Sequence, residues 1–319
     1  MEMDDLAALA RVSAELGGNR LLIQAAGGNT SIKVDGVLWV KASGRWLAKA
    51  LDEPIFAALD LPRLTDAMAL GDPACETCDA FVRADLSAPG LRPSVETTLH
   101  GGLPQRFVLH VHCVETISNA VLEDGAARVA PLLDGLKWQW VPYTRPGFPL
   151  FRTITPGADI YVFANHGLVV AADTLDAAVA LLETVGRRLA RPIQTAPTRP
   201  ARGVERAGYR FANAPALTPH GARFAAAGSL YPDHVVFLGS GAALIDNVVG
   251  APPVILAPGF PPLVREDLAP APLALAECLG DVAARFAPDD RLRYFTAQQE
   301  YELTHWDAEI YRHSLPGSE

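Results

Sequence analysis

The chain has 319 residues, of which 50% are hydrophobic and 20% are charged, and its formal net charge is −9. This length can bury one or two hydrophobic cores, and the acidic balance argues against a general nucleic-acid binder or a binder of acidic membranes. The N-terminus lacks the basic region and apolar core of a signal peptide, and no apolar run reaches membrane-spanning length. We therefore expect a cytoplasmic protein that is not inserted in a membrane.

Helix and strand patterns alternate up to about residue 192. A helical pattern covers residues 4–16, a sharp turn is predicted at 27–29, and residues 37–42 alternate like a strand. Residues 61–70 and 76–86 are either helical or irregular. A helix that begins at Ser94, with this serine as its N-cap, leads into a strand over 106–114. Residues 159–172 predict two strands joined by a turn, and residues 174–191 predict a strongly periodic helix.

The remainder of the chain has its own apolar content. A Pro-, Thr- and Arg-rich connector is predicted over 192–208. Short strands are predicted at 233–239, 242–247 and 252–259, and helices at 272–286 and 296–313. We therefore divide the chain into a domain at 1–192 and a linker with a packed C-terminal α/β extension at 193–319.

The four cysteines are sparse and unevenly spaced, at positions 75, 78, 113 and 278. This pattern does not indicate a disulfide framework. Cys75 and Cys78 form a CxxC pair that could be redox-active or half of a zinc site, but no second CxxC exists. Incidental cysteines are the better interpretation.

Two histidines lie two residues apart in the strand predicted at 106–114. His110 and His112 would therefore project from the same face, while Leu109, Val111 and Cys113 project from the other. Two imidazoles at this spacing can bind one metal ion. The alternative is that both rings only face solvent or form local hydrogen bonds.

Glu96 and His166 strengthen the metal interpretation. Glu96 is predicted in the first turn of the helix that leads into this strand, with His100 one helical turn later on the same face. His166 lies in the predicted turn before Gly167, where the backbone can approach a site closely. One carboxylate and three imidazoles suit zinc, with other divalent first-row metals as competitors. Taken singly, Glu96 could be a favourable charge at a helix N-terminus and His166 a turn residue.

Three small polar segments could together bind an anion such as phosphate. They are Gly27–Ser31 (GGNTS), Lys41–Gly44 (KASG) and Ser94, which is predicted at a helix start with free N–H groups. No segment matches the P-loop or GxGxxG patterns of nucleotide binding. Each segment alone could equally be an ordinary turn.

These motifs in this order resemble the class II aldolase/adducin family. GGNTSIK, LWVKASG, RPSVETTLH, VLHVHC and ANHGLVV carry the resemblance, which covers residues of about 5–192 and is closest to the rhamnulose-1-phosphate and fuculose-1-phosphate aldolase branch. The tail motifs SLYPDHVVFLG (229–239) and WDAEIYR (306–312) resemble the longer rhamnulose-phosphate-aldolase type. The resemblance implies an α/β fold of three layers, with a central, mostly antiparallel sheet flanked by helices. It also implies a homotetramer with sites at subunit interfaces.

The resemblance assigns roles to particular residues. It implies that His110, His112 and His166 bind zinc and that Glu96 is both a ligand and an acid/base. It places Asn29, Ser43, Gly44 and Ser94 at phosphate-binding positions, with Gly28 and Thr30 in the same loop. Val95 stands where some relatives have a second serine, which removes one possible hydroxyl. Tyr143 is a candidate for a second acid at the aldehyde oxygen, although it could simply anchor a Pro-rich loop.

The mechanism implied is that of a zinc-dependent aldehyde-lyase. It cleaves or forms a carbon–carbon bond in a ketose, phosphorylated or not, through a metal-stabilised enediolate. A sugar-acid phosphate decarboxylase or a sugar-phosphate epimerase of the same fold is the alternative. A non-enzymatic adducin-like scaffold is disfavoured because all four candidate ligands are retained. The expected partners are a sugar or sugar-phosphate substrate and further copies of the chain.

Overall fold

The computed structural model describes residues 2–155, 157–194, 196 and 204–305. The chain divides into two compact units, Met1–His112 with Leu133–Arg188, and Cys113–Leu132 with the described part of Leu189–Glu319. These units differ from a division at residue 192, because residues 113–132 group with the C-terminal part. The domain boundary at 192 stays a prediction.

Helices and strands alternate through the chain. The helices are α1 Glu2–Gly18, α2 Leu61–Leu70, α3 Thr97–Gly102, α4 Val114–Ala120, α5 Gly125–Leu132, α6 Phe148–Phe151, α7 Leu175–Leu189, α8 Pro219–Ala226, α9 Pro232–Leu238, α10 Pro270–Ala283 and α11 Ala297–Thr304. The strands are β1 Asn29–Val34, β2 Val37–Lys41, β3 Phe56–Asp60, β4 Phe107–Val111, β5 Trp138–Val141, β6 Ile160–Phe163, β7 Leu168–Ala172, β8 Tyr209–Phe211, β9 Ala243–Leu244, β10 Val254–Leu256 and β11 Leu263–Arg265.

The first unit is built on a seven-stranded sheet in the order β3-β2-β1-β4-β7-β6-β5. Every neighbouring pair in it is antiparallel except β5 with β6. The predicted central, mostly antiparallel sheet is therefore confirmed.

Side chains alternate across this sheet, so each face packs against different helices. On one face Leu38 and Val40 of β2 share a core with Leu64 and Met68 of α2. On the other face α1 contacts β1, where the Ser13 and Thr30 hydroxyls lie 2.7 Å apart and share a hydrogen bond. The sheet thus has helices on both faces, which confirms the predicted fold class.

The second unit contains a four-stranded sheet in the order β8-β11-β10-β9. The strand predicted at 233–239 is wrong, because this segment forms helix α9. Pro232 occupies the first helical turn with Asp233, a favourable start for a helix, and this outweighs the β-branched pair Val235 and Val236. Helix α11 begins after a Thr296–Gln299 capping box, near the start of the helix predicted at 296–313, but it ends at Thr304 with His305 as its C-cap. The WDAEIYR motif lies outside the described residues.

An ion-pair network centred on the buried Arg285 and Asp290 joins several segments of the second unit. Arg285 donates from Nε and Nη2 to Glu115 Oε1 at 3.0 and 2.6 Å. Asp290 accepts from Arg128 Nη1 at 3.0 Å, from Arg191 Nη2 and from the backbone N–H of residue 287. We call these five charged residues, Glu115, Arg128, Arg191, Arg285 and Asp290, the ion-pair network. Each carboxylate in it is matched by an opposite charge.

The four cysteines are free thiols and all are buried. Cys78 donates from Sγ to the Cys75 carbonyl oxygen at 3.4 Å. Burial raises the pKa of Cys75 and of Cys78, so both are held as thiols rather than reactive thiolates. In the described part of the chain, no helix combines the length and the hydropathy needed to cross a bilayer.

Candidate metal centre

One end of the seven-stranded sheet gathers the predicted metal ligands. Strand β1 begins at Asn29, directly opposite His110 near the end of β4, and Val111 of β4 pairs with Leu168 at the start of β7. Because both neighbours run antiparallel to β4, the start of β1, the end of β4 and the β6–β7 turn meet at this end. The predicted hairpin at 159–172 is thereby confirmed, with His166 in its turn.

The three histidines His110, His112 and His166 are buried and face one another. Their ring centroids lie 4.9 to 5.1 Å apart, and one possible ligand atom from each ring lies within 4.8 Å of the others. His110 Nδ1 lies 3.0 Å from the Leu168 carbonyl oxygen, an acceptor only, so Nδ1 donates to it and Nε2 is the nitrogen that faces His112 and Glu96. His110 Nε2 lies 3.1 Å from His112 Nε2. The predicted triad is therefore assembled.

Gly167 permits this close arrangement. A Cβ at this position would lie 2.6 Å from the Val111 carbonyl oxygen and 3.3 Å from carbon atoms of both His110 and His112. Asn165, directly before His166, has a positive φ of 52°, which tightens the turn. The hairpin backbone thus sets the distance between His166 and the other two rings.

Glu96 lies against the triad, but by a different local structure from the one predicted. Helix α3 begins at Thr97, and Glu96 is its N-cap without a capping hydrogen bond from its side chain. The prediction of Ser94 as the N-cap is therefore wrong. Ser94 instead closes a turn, in which its carbonyl oxygen accepts from Thr97 and its hydroxyl accepts from the Glu96 N–H at 3.3 Å. The Glu96 carboxylate is thus free to face the histidines.

The two oxygens of Glu96 have unequal surroundings. Oε2 accepts from Asn29 Nδ2 at 2.9 Å and lies 3.3 Å from His110 Nε2. Oε1 is buried and forms no hydrogen bond, although His166 Nε2 lies 3.6 Å away. Burial raises the pKa of Glu96, but the charges of His110, His166 and His112, with the Asn29 hydrogen bond, outweigh it and lower the pKa to about 2.

These donors fit a divalent metal ion. Three imidazole nitrogens and one carboxylate oxygen are a common ligand set for zinc. A buried carboxylate oxygen without a hydrogen bond is costly unless a positive charge lies beside it. The buried His110–His112–His166 triad can therefore hold a divalent metal, with Glu96 beside it.

The candidate anion-binding segments meet next to this triad. Asn29 Nδ2 donates to Ser94 Oγ at 3.1 Å, and the Ser43 N–H donates to the Arg92 carbonyl oxygen at 2.9 Å. Gly28 has φ of +60°, and a Cβ on it would lie 2.7 Å from the His110 carbonyl oxygen. Gly44 has φ of +72° in the turn after β2. The structure thus brings GGNTS, KASG and Ser94 together.

Two predicted residues are placed differently from the rest. The Thr30 hydroxyl is engaged with Ser13 on the opposite face of the sheet from His110, and its backbone lies in strand β1, just after the loop. Tyr143 is half-buried in the segment after β5, and its assignment as an acid stays a prediction.

The sequence analysis missed a second layer of contacts behind Glu96. His100 is fully buried, with Nδ1 2.6 Å from Ser31 Oγ and Nε2 in a short hydrogen bond with Asn29 Oδ1. The signal was present in the sequence, because Asn29 and Ser31 alternate onto one face of β1 and His100 follows Glu96 by one helical turn. It was missed because His100 had no partner in the metal set.

Comparisons with known proteins place the chain in a family. A family model described as the class II aldolase and adducin N-terminal domain matches residues 7–190. The protein YuxG of Bacillus subtilis, described as an uncharacterized oxidoreductase, is 31% identical over 175 residues, which are 50% of this chain and 25% of YuxG. The chain thus matches about a quarter of the length of that relative.

Two solved structures are similar to this chain. The N-terminal class II aldolase domain of a conserved Thermoplasma acidophilum protein is 25% identical, with a TM-score of 0.48 over 57% of this chain and 90% of that chain. L-fuculose-1-phosphate aldolase from Thermus thermophilus is 16% identical, with a TM-score of 0.40 over 59% and 93%. Since the family model covers more than half of its residues, the chain belongs to the class II aldolase and adducin N-terminal domain family.

Proposed function

We propose that this chain is a zinc-dependent aldolase that cleaves or forms a carbon–carbon bond beside the carbonyl of a phosphorylated ketose. The observation that carries the proposal is the Glu96 carboxylate, which has one oxygen without a hydrogen bond and lies against three converging imidazoles. Zinc, when bound, would supply a Lewis acid that polarises the carbonyl and stabilises negative charge. Other divalent first-row metals accept the same donors.

Glu96 would carry the proton at the reacting carbon. Its Oε2 is held by Asn29 Nδ2, so the carboxylate has one fixed end. Its Oε1 has no competing hydrogen bond and is the oxygen that can take up or release a proton. A carboxylate that can bind the metal and also leave it suits both roles.

Asn29, Ser43, Gly44 and Ser94 would bind the substrate phosphate. Their convergence beside the triad supplies the hydroxyls of Ser43 and Ser94, which can donate hydrogen bonds to an anion, while the Asn29 amide holds Ser94 in place. Gly28 would contribute through the backbone of the loop before β1, and Thr30 would contribute as part of the start of β1. Tyr143 would protonate the aldehyde oxygen of the other product.

The test combines metal analysis with a retro-aldol screen. The purified chain is assayed for bound zinc and then offered ketose 1-phosphates, with dihydroxyacetone phosphate as the product detected. The proposal expects about one zinc ion per chain and release from at least one phosphorylated ketose. Stoichiometric zinc with no release from any of them would contradict the aldolase and favour a decarboxylase or an epimerase. A chain without any divalent ion would contradict metal catalysis and favour an adducin-like scaffold.

A matched pair of variants tests Glu96. Glu96→Gln keeps the three imidazoles but removes the proton carrier, so kcat should fall about 10²–10⁴-fold, as is typical for loss of a general acid or base. The control is Glu53→Gln, which alters an exposed carboxylate paired with Arg45 and should leave kcat unchanged. Tyr143→Phe should lower kcat, whereas Tyr209→Phe in the second unit should not. A homotetramer, expected from the family, is tested by the mass of the chain in solution.

A further inference from the structure

His100 is a buried imidazole that belongs to no assigned set of ligands. Its side chain has no exposed surface. It lies in helix α3, one turn after the N-cap Glu96, and its ring contacts residues of β1. Its two ring nitrogens contact different residues, Ser31 through Nδ1 and Asn29 through Nε2. These contacts define a chain of hydrogen bonds that runs from Ser31 through His100 and Asn29 to Glu96.

The partners of His100 fix its tautomer. An amide oxygen can only accept a hydrogen bond, so Nε2 must carry a proton that it donates to Asn29 Oδ1. Burial, and next the charge on His110, lower the pKa of His100 to about 3, so the ring is neutral near pH 7. Nδ1 then has a lone pair, which accepts the proton of the Ser31 hydroxyl at 2.6 Å.

The Glu96 carboxylate, which only accepts hydrogen bonds, fixes the orientation of Asn29 independently of the His100 tautomer. With Oδ1 held by His100, the amide nitrogen must face the other way, where Nδ2 donates to Glu96 Oε2 at 2.9 Å and to Ser94 Oγ at 3.1 Å. A flipped amide would place Oδ1 against the Glu96 carboxylate and Nδ2 against the Nε2–H of His100. Both contacts would be repulsive, so the observed orientation is the stable one.

We propose that His100 is a positioning residue, which acts through Asn29 to hold Oε2 of Glu96 and so leaves Oε1 as the oxygen that exchanges between metal and proton. The inference rests on the proposed function only for the use of Oε1. The hydrogen-bonded chain itself is a property of the protein without metal.

A double-mutant cycle on zinc affinity tests whether His100 acts through Glu96. Zinc affinity of the metal-free chain is measured by competition with a chelator for the unaltered chain, His100→Leu, Glu96→Ala and the double variant. In the presence of Glu96, the leucine should weaken zinc binding about 10–100-fold, as is typical for loss of an outer-shell partner. In the Glu96→Ala chain it should have an effect within about twofold, the limit of ordinary additivity. An equal weakening in both chains would overturn the proposal.

Conservative variants separate positioning from simple packing. His100→Gln keeps a side-chain N–H donor for Asn29 and should restore most of the zinc affinity that His100→Leu loses. Ser31→Ala removes the donor to Nδ1 and should weaken zinc binding less than His100→Leu does. The matched control is His234→Leu, which deletes an equally buried imidazole of the second unit and should leave zinc affinity unchanged. Failure of the glutamine to restore affinity would also count against the proposal.

A spectroscopic readout remains if the unaltered chain binds no zinc, an outcome that would reject the proposed function. Nitrogen NMR of labelled histidines in the metal-free chain should show His100 with a protonated Nε2 and an unprotonated Nδ1 at neutral pH. A protonated Nδ1 with a bare Nε2 would reverse the hydrogen bond to Asn29 and overturn the positioning role, whatever the chemistry of the site.

Discussion

The chain contains two buried polar clusters, and they are satisfied in opposite ways. In the ion-pair network of the second unit, Asp290 and Glu115 each receive several hydrogen bonds from arginines and backbone groups. In the metal centre of the first unit, His110 Nε2 and His112 Nε2 lie 3.1 Å apart and Glu96 Oε1 forms no hydrogen bond.

This difference in how the buried polar groups are hydrogen-bonded distinguishes a structural cluster from a functional one. Buried charges that are fully matched hold segments of chain together, and removal of one partner is costly. A buried carboxylate oxygen that faces three imidazoles and forms no hydrogen bond carries a cost that a bound cation can relieve. Burial alone therefore does not mark a site, whereas an unmatched but convergent arrangement does.

The largest expected effect comes from the metal centre. His110→Ala removes the ring that contacts both His112 and Glu96, so stoichiometric zinc and activity should be lost together. The loss of zinc affinity should exceed the roughly 10–100-fold typical of an outer-shell change. His220→Ala, in a half-buried histidine that bonds the Phe286 carbonyl oxygen, is the control and should retain zinc. Zinc retained by His110→Ala would show that the triad is not the ligand set.

The second effect concerns stability and should leave zinc binding intact. Asp290→Ala would remove the buried carboxylate that pairs with Arg191, whereas Arg128 would keep its pair with Asp124, and removal of one partner from a buried ion pair typically costs about 3–5 kcal/mol. Urea unfolding followed by circular dichroism measures this loss. Asp267→Ala, in an exposed pair with Arg265, should leave the transition unchanged. Equal effects of the two substitutions would remove the contrast between matched buried pairs and surface pairs.

The smallest expected effect is a loss of folding stability at acidic pH. Burial lowers the pKa of His234 from 6.5 to about 4, so the unfolded chain binds a proton there more readily than the folded chain. Stability is therefore full above about pH 6.5 and falls as pH drops toward 4, by up to about 1.4 kcal/mol per pH unit for one proton. His234→Leu should flatten this part of the profile, whereas His305→Leu at an exposed position should not. A profile that is identical with and without His234 would contradict the prediction.

The strand and the hairpin that carry the three histidines were within reach of the sequence. Alternation of His110 and His112 with apolar residues predicted one face of a strand, and the turn at 165–167 predicted the hairpin that carries His166. The meeting of the β1 start with the β4 end depends on sheet order, which no local pattern encodes. The family resemblance supplied that step.

Two errors show where local signals fail. The segment at 233–239 has β-branched residues, but the proline and the acid at its start initiate helix α9, and tertiary packing buries Val235 and Leu238. Ser94 is a good N-cap by residue type, yet its hydroxyl and carbonyl are used in the turn before α3. In both cases the residue types were compatible with either structure, and the contacts at the start of the helix decided between them.

The gathering of donors at one end of the sheet has a consequence for chain entropy. Glu96, the end of β4 and the β6–β7 turn lie far apart along the chain, and bringing such segments together costs loop-closure entropy on folding. A metal that binds only the folded arrangement would offset part of this cost, so the first unit would gain stability with the free concentration of metal. The folded population of this unit would then follow the supply of metal in its surroundings.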